Sequence, residues 1–290
     1  MPRRGFRWRL RSSPLILLYH RVANAEPGLH ANVSGLSVTP EHFEQQLAVL
    51  RRRFAPLRLR DLLESPRRFR HPAVAVTFDD GYADNLHAAL PLLERFGIPA
   101  TFFVTSGMLG GQREFWWDTL ERQSGRDSGL YDRHRMELLQ LDESARSKRL
   151  TEIAEAAAMG SEVRHRTLTH EELRRLDAHD LCDVGAHTVT HAWLSRLTPD
   201  RQRREITDAK TQIEAILGHE VSYFAYPFGE SSAFDDDSET IAHEAGFAAA
   251  FSAERGTVAP LRNRYRIPRC GVRDWDGEKF GRRVARWGRR

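Results

Sequence analysis

Asp79 and Asp80 stand side by side at the end of an apolar stretch, AVAVTF, and Gly81 follows them. The alternation of Val74, Val76 and Phe78 with small or polar neighbours predicts a strand. Two carboxylates at its C-terminal end, before a turn that glycine permits, occupy the place where parallel α/β folds carry chemistry. The same residues also read as an ordinary solvated turn. A second group shifts the balance. His187 and His191 lie four residues apart, directly after a second apolar stretch at 181–186. From a helix or a strand-to-helix corner, that spacing directs both imidazoles to one point. Two histidines and one carboxylate leave positions open for water and substrate, the arrangement of a catalytic metal. Each group follows a predicted strand, so in a parallel sheet both lie on the same face.

The elements that must position these residues alternate along the chain. An apolar run, LILLY at 15–19, predicts a buried first strand that delivers His20 and Arg21 at its end. Thr39–Pro40 opens a helix whose Phe43, Leu47, Leu50 and Phe54 share a face. After the 73–78 strand comes a helix over 83–96, ended by Gly97 and Pro99, and then a strand at 100–105. Strand, helix and strand in about thirty residues make one parallel crossover unit. Residues 107–165 break the rhythm and read as a helical insertion too short and polar for a core of its own. Its Trp116 and Trp117 suit either packing onto the host or stacking on a sugar ring. Thr169 and Glu172 have the spacing of a capping box. Further strands are expected at 181–186, 221–226, 247–251 and 265–267, and a basic helix from about Glu278. Seven or eight strands alternating with helices predict an α/β fold, a mostly parallel sheet closed or nearly closed into a barrel, spanning 12–275 with the insertion inside it. The segments 1–11 and 276–290 are left as basic ends.

The sequence resembles the polysaccharide deacetylase family, the NodB-homology carbohydrate esterases. Thr77-Phe78-Asp79-Asp80-Gly81 and His187-Thr-Val-Thr-His191 match its first two motifs fully and in order. The resemblance implies the distorted (β/α) form of the barrel and a metal-dependent hydrolase that removes acetyl groups from amino sugars. It implies Asp79 as general base, and Asp80, His187 and His191 as ligands of a divalent metal, Zn first with Co or Ni as alternatives. The third motif departs from the family pattern. In Phe224-Ala225-Tyr226-Pro227-Phe228-Gly229, Ala225 replaces the arginine that would steady the base. The backbone N–H of Phe228 still suits an oxyanion role, with Tyr226 beside it, and Arg269 is the candidate to supply the missing guanidinium. The last motif, a strand end carrying the general-acid histidine, is absent from the C-terminal part. Leu17-Leu18-Tyr19-His20-Arg21 resembles it at the front, as in the permuted exopolysaccharide deacetylases. His20 is therefore the candidate acid, with Arg21 standing where the motif has an aspartate.

Composition narrows the rest. The 290 residues carry a net charge of +4, and lysine occurs only at 148, 210 and 279, so the cationic charge is nearly all arginine. The excess sits at the ends, in Arg3, Arg4, Arg7, Arg9 and Arg11 and in Arg282, Arg283, Arg286, Arg289 and Arg290. These read as solvated tails suited at most to loose contact with an acidic membrane face; no nucleic-acid partner is expected. Cys182 and Cys270 do not make a disulfide framework. The apolar run at 14–19 is too short for a signal-peptide core, and the expectation is a cytoplasmic enzyme, peripheral at most. The partner is an N-acetylated glycan. Two other readings stay open: a hydrolase of a non-sugar amide on the same barrel, and a sugar-binding protein that has lost turnover, which the missing arginine favours.

Overall fold

A computed structural model describes residues 13–24, 35–64, 72–124, 127–141, 143–156, 163–258 and 263–288. Its centre is an eight-stranded parallel sheet in the order β10-β1-β5-β6-β7-β8-β9, with β4 beside β5. These strands are β1 (Leu15–Tyr19), β4 (Ala55–Pro56), β5 (Ala73–Phe78), β6 (Ala100–Val104), β7 (Cys182–Ala186), β8 (Tyr223–Ala225), β9 (Ala249–Phe251) and β10 (Cys270–Gly271). A small separate pair joins β2 (Arg21–Val22) to β3 (Ser37–Val38). Every residue of β1, β5 and β6 is buried, which is why these segments read as near-continuous apolar runs: parallel strands are covered on both faces. The register runs from Leu15 opposite Val74 to Tyr19 opposite Phe78, so His20 and Asp79 leave adjacent strands at one level.

The sheet rolls up through the segment 267–271. Ile267 bridges Phe251 of β9, giving its N–H to Ala250 O at 3.0 Å and accepting from Ser252 N at 2.9 Å. Three residues later Cys270 pairs with Leu17 of β1. The strand expected at 265–267 is thus a single bridge followed by a two-residue strand. Pro268 has no N–H to give, so the ladder is interrupted there and resumes on the other edge. The result is the distorted (β/α) barrel, an α/β fold.

The helix starts follow the sequence. Thr39 accepts from His42 N ahead of the helix Pro40–Arg53, and Thr169 with Glu172 forms a reciprocal capping box ahead of His170–Asp177. The helix expected at 83–96 begins instead with a π turn, Asn85–Ala89, before the regular helix Leu90–Phe96. Pro91 cannot donate to the preceding turn, which favours a local change of pitch.

Two expectations change. The insertion has a small core of its own, made by Leu120, Tyr131, Leu138 and Ile153 of the helices Trp116–Ser124, Ser128–Leu138 and Glu143–Ala156. Three short helices supply together the apolar area that none supplies alone. The C-terminal segment is not a solvated tail. The helix Gly277–Trp287 buries Phe280, Val284 and Trp287 in the main core and packs on Pro40–Arg53, while Arg282, Arg283 and Arg286 stay exposed. Arginine content hid an i, i+4, i+7 apolar stripe. The arginines at 3–11 and at 289–290 lie outside the described residues. Among the described residues, no helix is long and apolar enough to cross a membrane. Trp287→Ala should destabilise the fold by about 3–5 kcal/mol in denaturant titrations, whereas Arg282→Ala should change stability by less than about 0.5 kcal/mol.

Candidate active site

The strand ends bring the expected residues together. Asp79 and Asp80 leave β5, His187 leaves β7, His20 leaves β1, and Phe228 follows β8. They line one cavity of about 330 Å³ with His191. The positions were legible; the backbone that aims the side chains was not. Four described non-glycine residues have positive φ: Asp80 at 76°, Thr188 at 61°, His191 at 58° and Phe228 at 61°. Three line the cavity, and Thr188 lies between the two histidines. Such strain gathers where the surrounding fold imposes it on a functional corner.

Asp80, His187 and His191 each offer a ligand atom, all within 4.8 Å of one another. Asp80 Oδ1 lies 3.5 Å from His187 Nε2 and 3.4 Å from His191 Nε2. His187 Nδ1 donates to Ala225 O at 2.7 Å, which turns the lone pair of the neutral ring's Nε2 toward Asp80. Asp80 Oδ1 is buried and has no hydrogen-bond partner. A buried carboxylate oxygen and two imidazole nitrogens converge here, and a divalent cation fits this donor set. Burial would raise the Asp80 carboxyl, but the two imidazoles hold it far below the ordinary carboxylate range. Burial pushes the His191 imidazole down, toward its neutral, ligating form, against the pull of Asp80.

Asp79 turns the other way. Arg269 Nη1 donates to its Oδ1 at 2.6 Å and Nη2 to its Oδ2 at 2.7 Å. The guanidinium is fully buried, and it also donates from Nε to Ser252 O at 3.0 Å and from Nη1 to Thr77 Oγ1 at 3.2 Å. Burial raises the Asp79 carboxyl, but the charge and hydrogen bonds of Arg269 outweigh it and hold Asp79 below its usual range. The guanidinium missing at Ala225 is thus present from another strand. The two adjacent acids are separated in role, one locked to a guanidinium and one facing two imidazoles.

Known proteins resemble this chain in sequence and in fold. A family model described as polysaccharide deacetylase covers residues 67–250, more than half the chain. The chain belongs to the polysaccharide deacetylase family. It is 24% identical over 292 residues to a poly-beta-1,6-N-acetyl-D-glucosamine N-deacetylase of Staphylococcus aureus, covering 95% of this chain and 83% of that protein. It is 21% identical to a putative polysaccharide deacetylase of Bacillus subtilis, covering 92% and 74%. In fold it resembles IcaB of Ammonifex degensii, with a TM-score of 0.65, 23% identity and coverage of 96% and 98%. It also resembles a Streptococcus pyogenes deacetylase solved with acetate, with a TM-score of 0.63, 20% identity and coverage of 92% and 95%. Polysaccharide deacetylases are hydrolases, and metal dependence is typical of them.

In this deacetylase the insertion covers the site: Trp116, Trp117, Tyr131, Arg135 and Leu139 all line the cavity. Trp117 packs onto its host, as its sequence allowed. It stacks on Phe115 at 4.5 Å and donates Nε1 to Tyr82 Oη at 2.9 Å, while its edge meets His191 at 4.8 Å. Trp116 forms part of the wall and meets Trp117 edge to face. Tyr226 is a correction. It is buried away from the cavity, stacked on Phe234 at 4.0 Å, with its hydroxyl donating to Tyr265 O at 2.8 Å. The strand alternation carries its side chain into the barrel wall, and only the turn after Pro227 exposes Phe228.

Arg21 does not orient His20. It donates to Asp84 Oδ2 at 3.0 Å and contacts His165 Nδ1 at 3.0 Å, tying the first strand to the π turn and the insertion. His20 is placed through its backbone, whose carbonyl accepts from Asn85 Nδ2 at 2.8 Å. A second group with metal-ligand chemistry, Asp118, Glu121 and His165, lies beside Arg21. An arginine can only donate, so His165 Nδ1 accepts from Arg21. Tyr131, Arg135 and Leu139 are cavity residues with no sequence signal, because only helix packing brings them there, and Glu230 arrives on the turn after β8.

Arg269→Ala should cut turnover roughly a hundredfold, the scale of losing an effective general base. Its bound metal, read by elemental analysis, should stay at the wild-type level. His187→Ala should reverse the pattern by losing the metal.

Proposed function

We propose that this chain removes N-acetyl groups from an amino-sugar polysaccharide, with Asp79 as general base, His20 as general acid, and Asp80, His187 and His191 holding Zn²⁺. The observation that carries the reading is the division of labour at one corner: Asp79 fixed in both oxygens by Arg269, Asp80 facing two imidazoles. Two imidazoles and a carboxylate suit zinc, with cobalt or nickel as substitutes. The metal, when bound, polarises the acetamide carbonyl and acidifies a water.

The chain's own groups account for the proton traffic. The Asp79 carboxylate takes a proton from the water as oxygen adds to the carbonyl carbon. Arg269 keeps that carboxylate oriented and ionised. The Phe228 N–H stands on a strained left-handed turn at the cavity wall, where it can donate to the developing oxyanion. The C–N bond then breaks, and His20 gives a proton to the departing nitrogen, leaving acetate and a free amine. A cavity of about 330 Å³ walled by Trp116, Trp117 and Phe228 suits one sugar ring with its acetamide, with the rest of a chain passing outside. The named activity of the Staphylococcus aureus relative makes a β-1,6-linked N-acetylglucosamine polymer the first substrate to try. The exposed arginines of the helix Gly277–Trp287 suit loose contact with an acidic membrane face, a placement that belongs to this reading. A binding protein without turnover rested on Ala225, and Arg269 removes that support.

Acetate release from β-1,6- and β-1,4-linked N-acetylglucosamine oligomers, with Zn²⁺ supplied, tests the proposal. Wild type should release acetate, and Asp79→Asn should lose roughly two or more orders of magnitude in kcat with metal retained. Release by Asp79→Asn at the wild-type rate would remove Asp79 from the mechanism. No release from any oligomer by metal-loaded wild type would return weight to a non-sugar amide. His20→Asn should lower kcat with little change in KM.

A further inference from the structure

A second cavity, of about 520 Å³, adjoins the catalytic one. Leu139 lines both. An aromatic partition separates them: Phe228 faces the catalytic cavity and packs at 4.8 Å against Trp193, which lines the second. The second cavity is one-sided in charge. Arg146, Arg196, Arg201 and Arg204 line it against one carboxylate, Glu205.

That carboxylate is committed to the loop between the histidines. It accepts from Val189 N at 3.0 Å, Thr190 N at 2.9 Å and Thr190 Oγ1 at 2.8 Å. Arg146 donates to Leu138 O at 3.0 Å and Leu141 O at 2.8 Å, and Arg196 donates to Leu139 O. These bonds hold the end of an insertion helix against the Trp193 loop, and Arg196 lies over the Trp193 ring at 4.3 Å. Arg196 engages a carbonyl oxygen and a ring face, neither of which cancels its charge. Arg201 and Arg204 are exposed, stand three residues apart on one face of the helix Pro199–Leu217, and make no ion pair with a described residue. Their neighbour Arg203, by contrast, pairs with Glu244 at 2.7 Å.

We propose that this cavity is a subsite for an oxyanion group, a phosphate or a carboxylate, carried by the glycan on a unit next to the sugar whose acetamide lies at Asp79. The inference deepens the deacetylase reading and rests on it. Guanidinium forks match such groups two N–H at a time. Arg196, Arg201 and Arg204, beside the one carboxylate among the described lining residues, make a positive potential that a neutral sugar does not need. The shared Leu139 and the Phe228–Trp193 partition put the charge within reach of the same chain.

The test compares kcat/KM for a neutral N-acetylglucosamine oligomer, the same oligomer bearing a phosphate monoester, and one bearing a neighbouring uronate. Wild type and the double variant Arg201→Gln/Arg204→Gln are measured in parallel. Wild type should favour an anionic oligomer by about tenfold or more, mainly through KM, the scale of one charge-assisted hydrogen bond. The double variant should lose that preference while keeping the neutral rate. Added salt should erode the preference. A preference for phosphate alone or for uronate alone names the group. Equal kcat/KM for all three oligomers in wild type, or a preference that survives in the double variant, overturns the subsite. Calorimetric binding of the same oligomers to Asp79→Asn separates the two readings. Arginine-dependent binding of an anionic oligomer without turnover by wild type keeps the subsite and sinks the deacetylase. Turnover without any anion-dependent binding does the reverse.

Discussion

The buried pair between Arg269 and Asp79 joins the fold to the chemistry. Its members lie 190 residues apart in sequence, and neither charge reaches solvent. Burying both ions costs several kcal/mol each unless every polar atom finds a partner. Here both carboxylate oxygens are taken, and the guanidinium's remaining donors reach Ser252 O and Thr77 Oγ1. Ser252 follows β9 at one edge of the sheet, Thr77 belongs to β5 inside it, and Arg269 itself precedes β10 at the other edge, so the pair forms only when the segment 267–271 has closed the barrel. A half-closed sheet would leave one charge unpaired, which ties completion of the fold to completion of the site.

Around that pair the site is built by opposed demands on adjacent residues. Asp79 must face into the barrel and Asp80 toward the histidines. A regular strand alternates side chains and would send one of them out of the sheet. The left-handed backbone at Asp80 resolves this, and Gly81, also at positive φ, carries the chain away beneath Val104, which a Cβ there would meet at 3.0 Å. Equivalent left-handed corners at His191 and Phe228 bring the other walls in. The insertion then closes the cavity from above through Phe115, Trp117 and Tyr82, whose hydroxyl accepts from Trp117 and donates to Asp118. Burial, first, and the neighbouring carboxylates raise the Tyr82 and Asp118 acids well above their ordinary ranges. The cover is fastened here by buried hydrogen bonds and aromatic contact rather than by exposed salt bridges, which would be weak and salt-sensitive.

The sequence by itself determined the sheet strands, because buried parallel strands must be apolar on both faces, and it determined which polar residues leave their ends. Asp79, Asp80, His187 and His191 were legible as candidates for that reason, His20 only through the likeness of its strand end to the family's last motif, and the caps at Thr39 and Thr169 as local hydrogen-bond chemistry. Arg269 was legible as a candidate only because Ala225 left a charge to be found. Tertiary structure decided what depends on packing between distant segments. It sent Tyr226 into the wall, gave the insertion a core and a place over the cavity, and turned an arginine-rich end into a helix with a buried Trp287. It also set the φ angles that aim the ligands and gathered four arginines beside Trp193. Periodicity records which face of an element is apolar; it carries no information about which other element that face will meet.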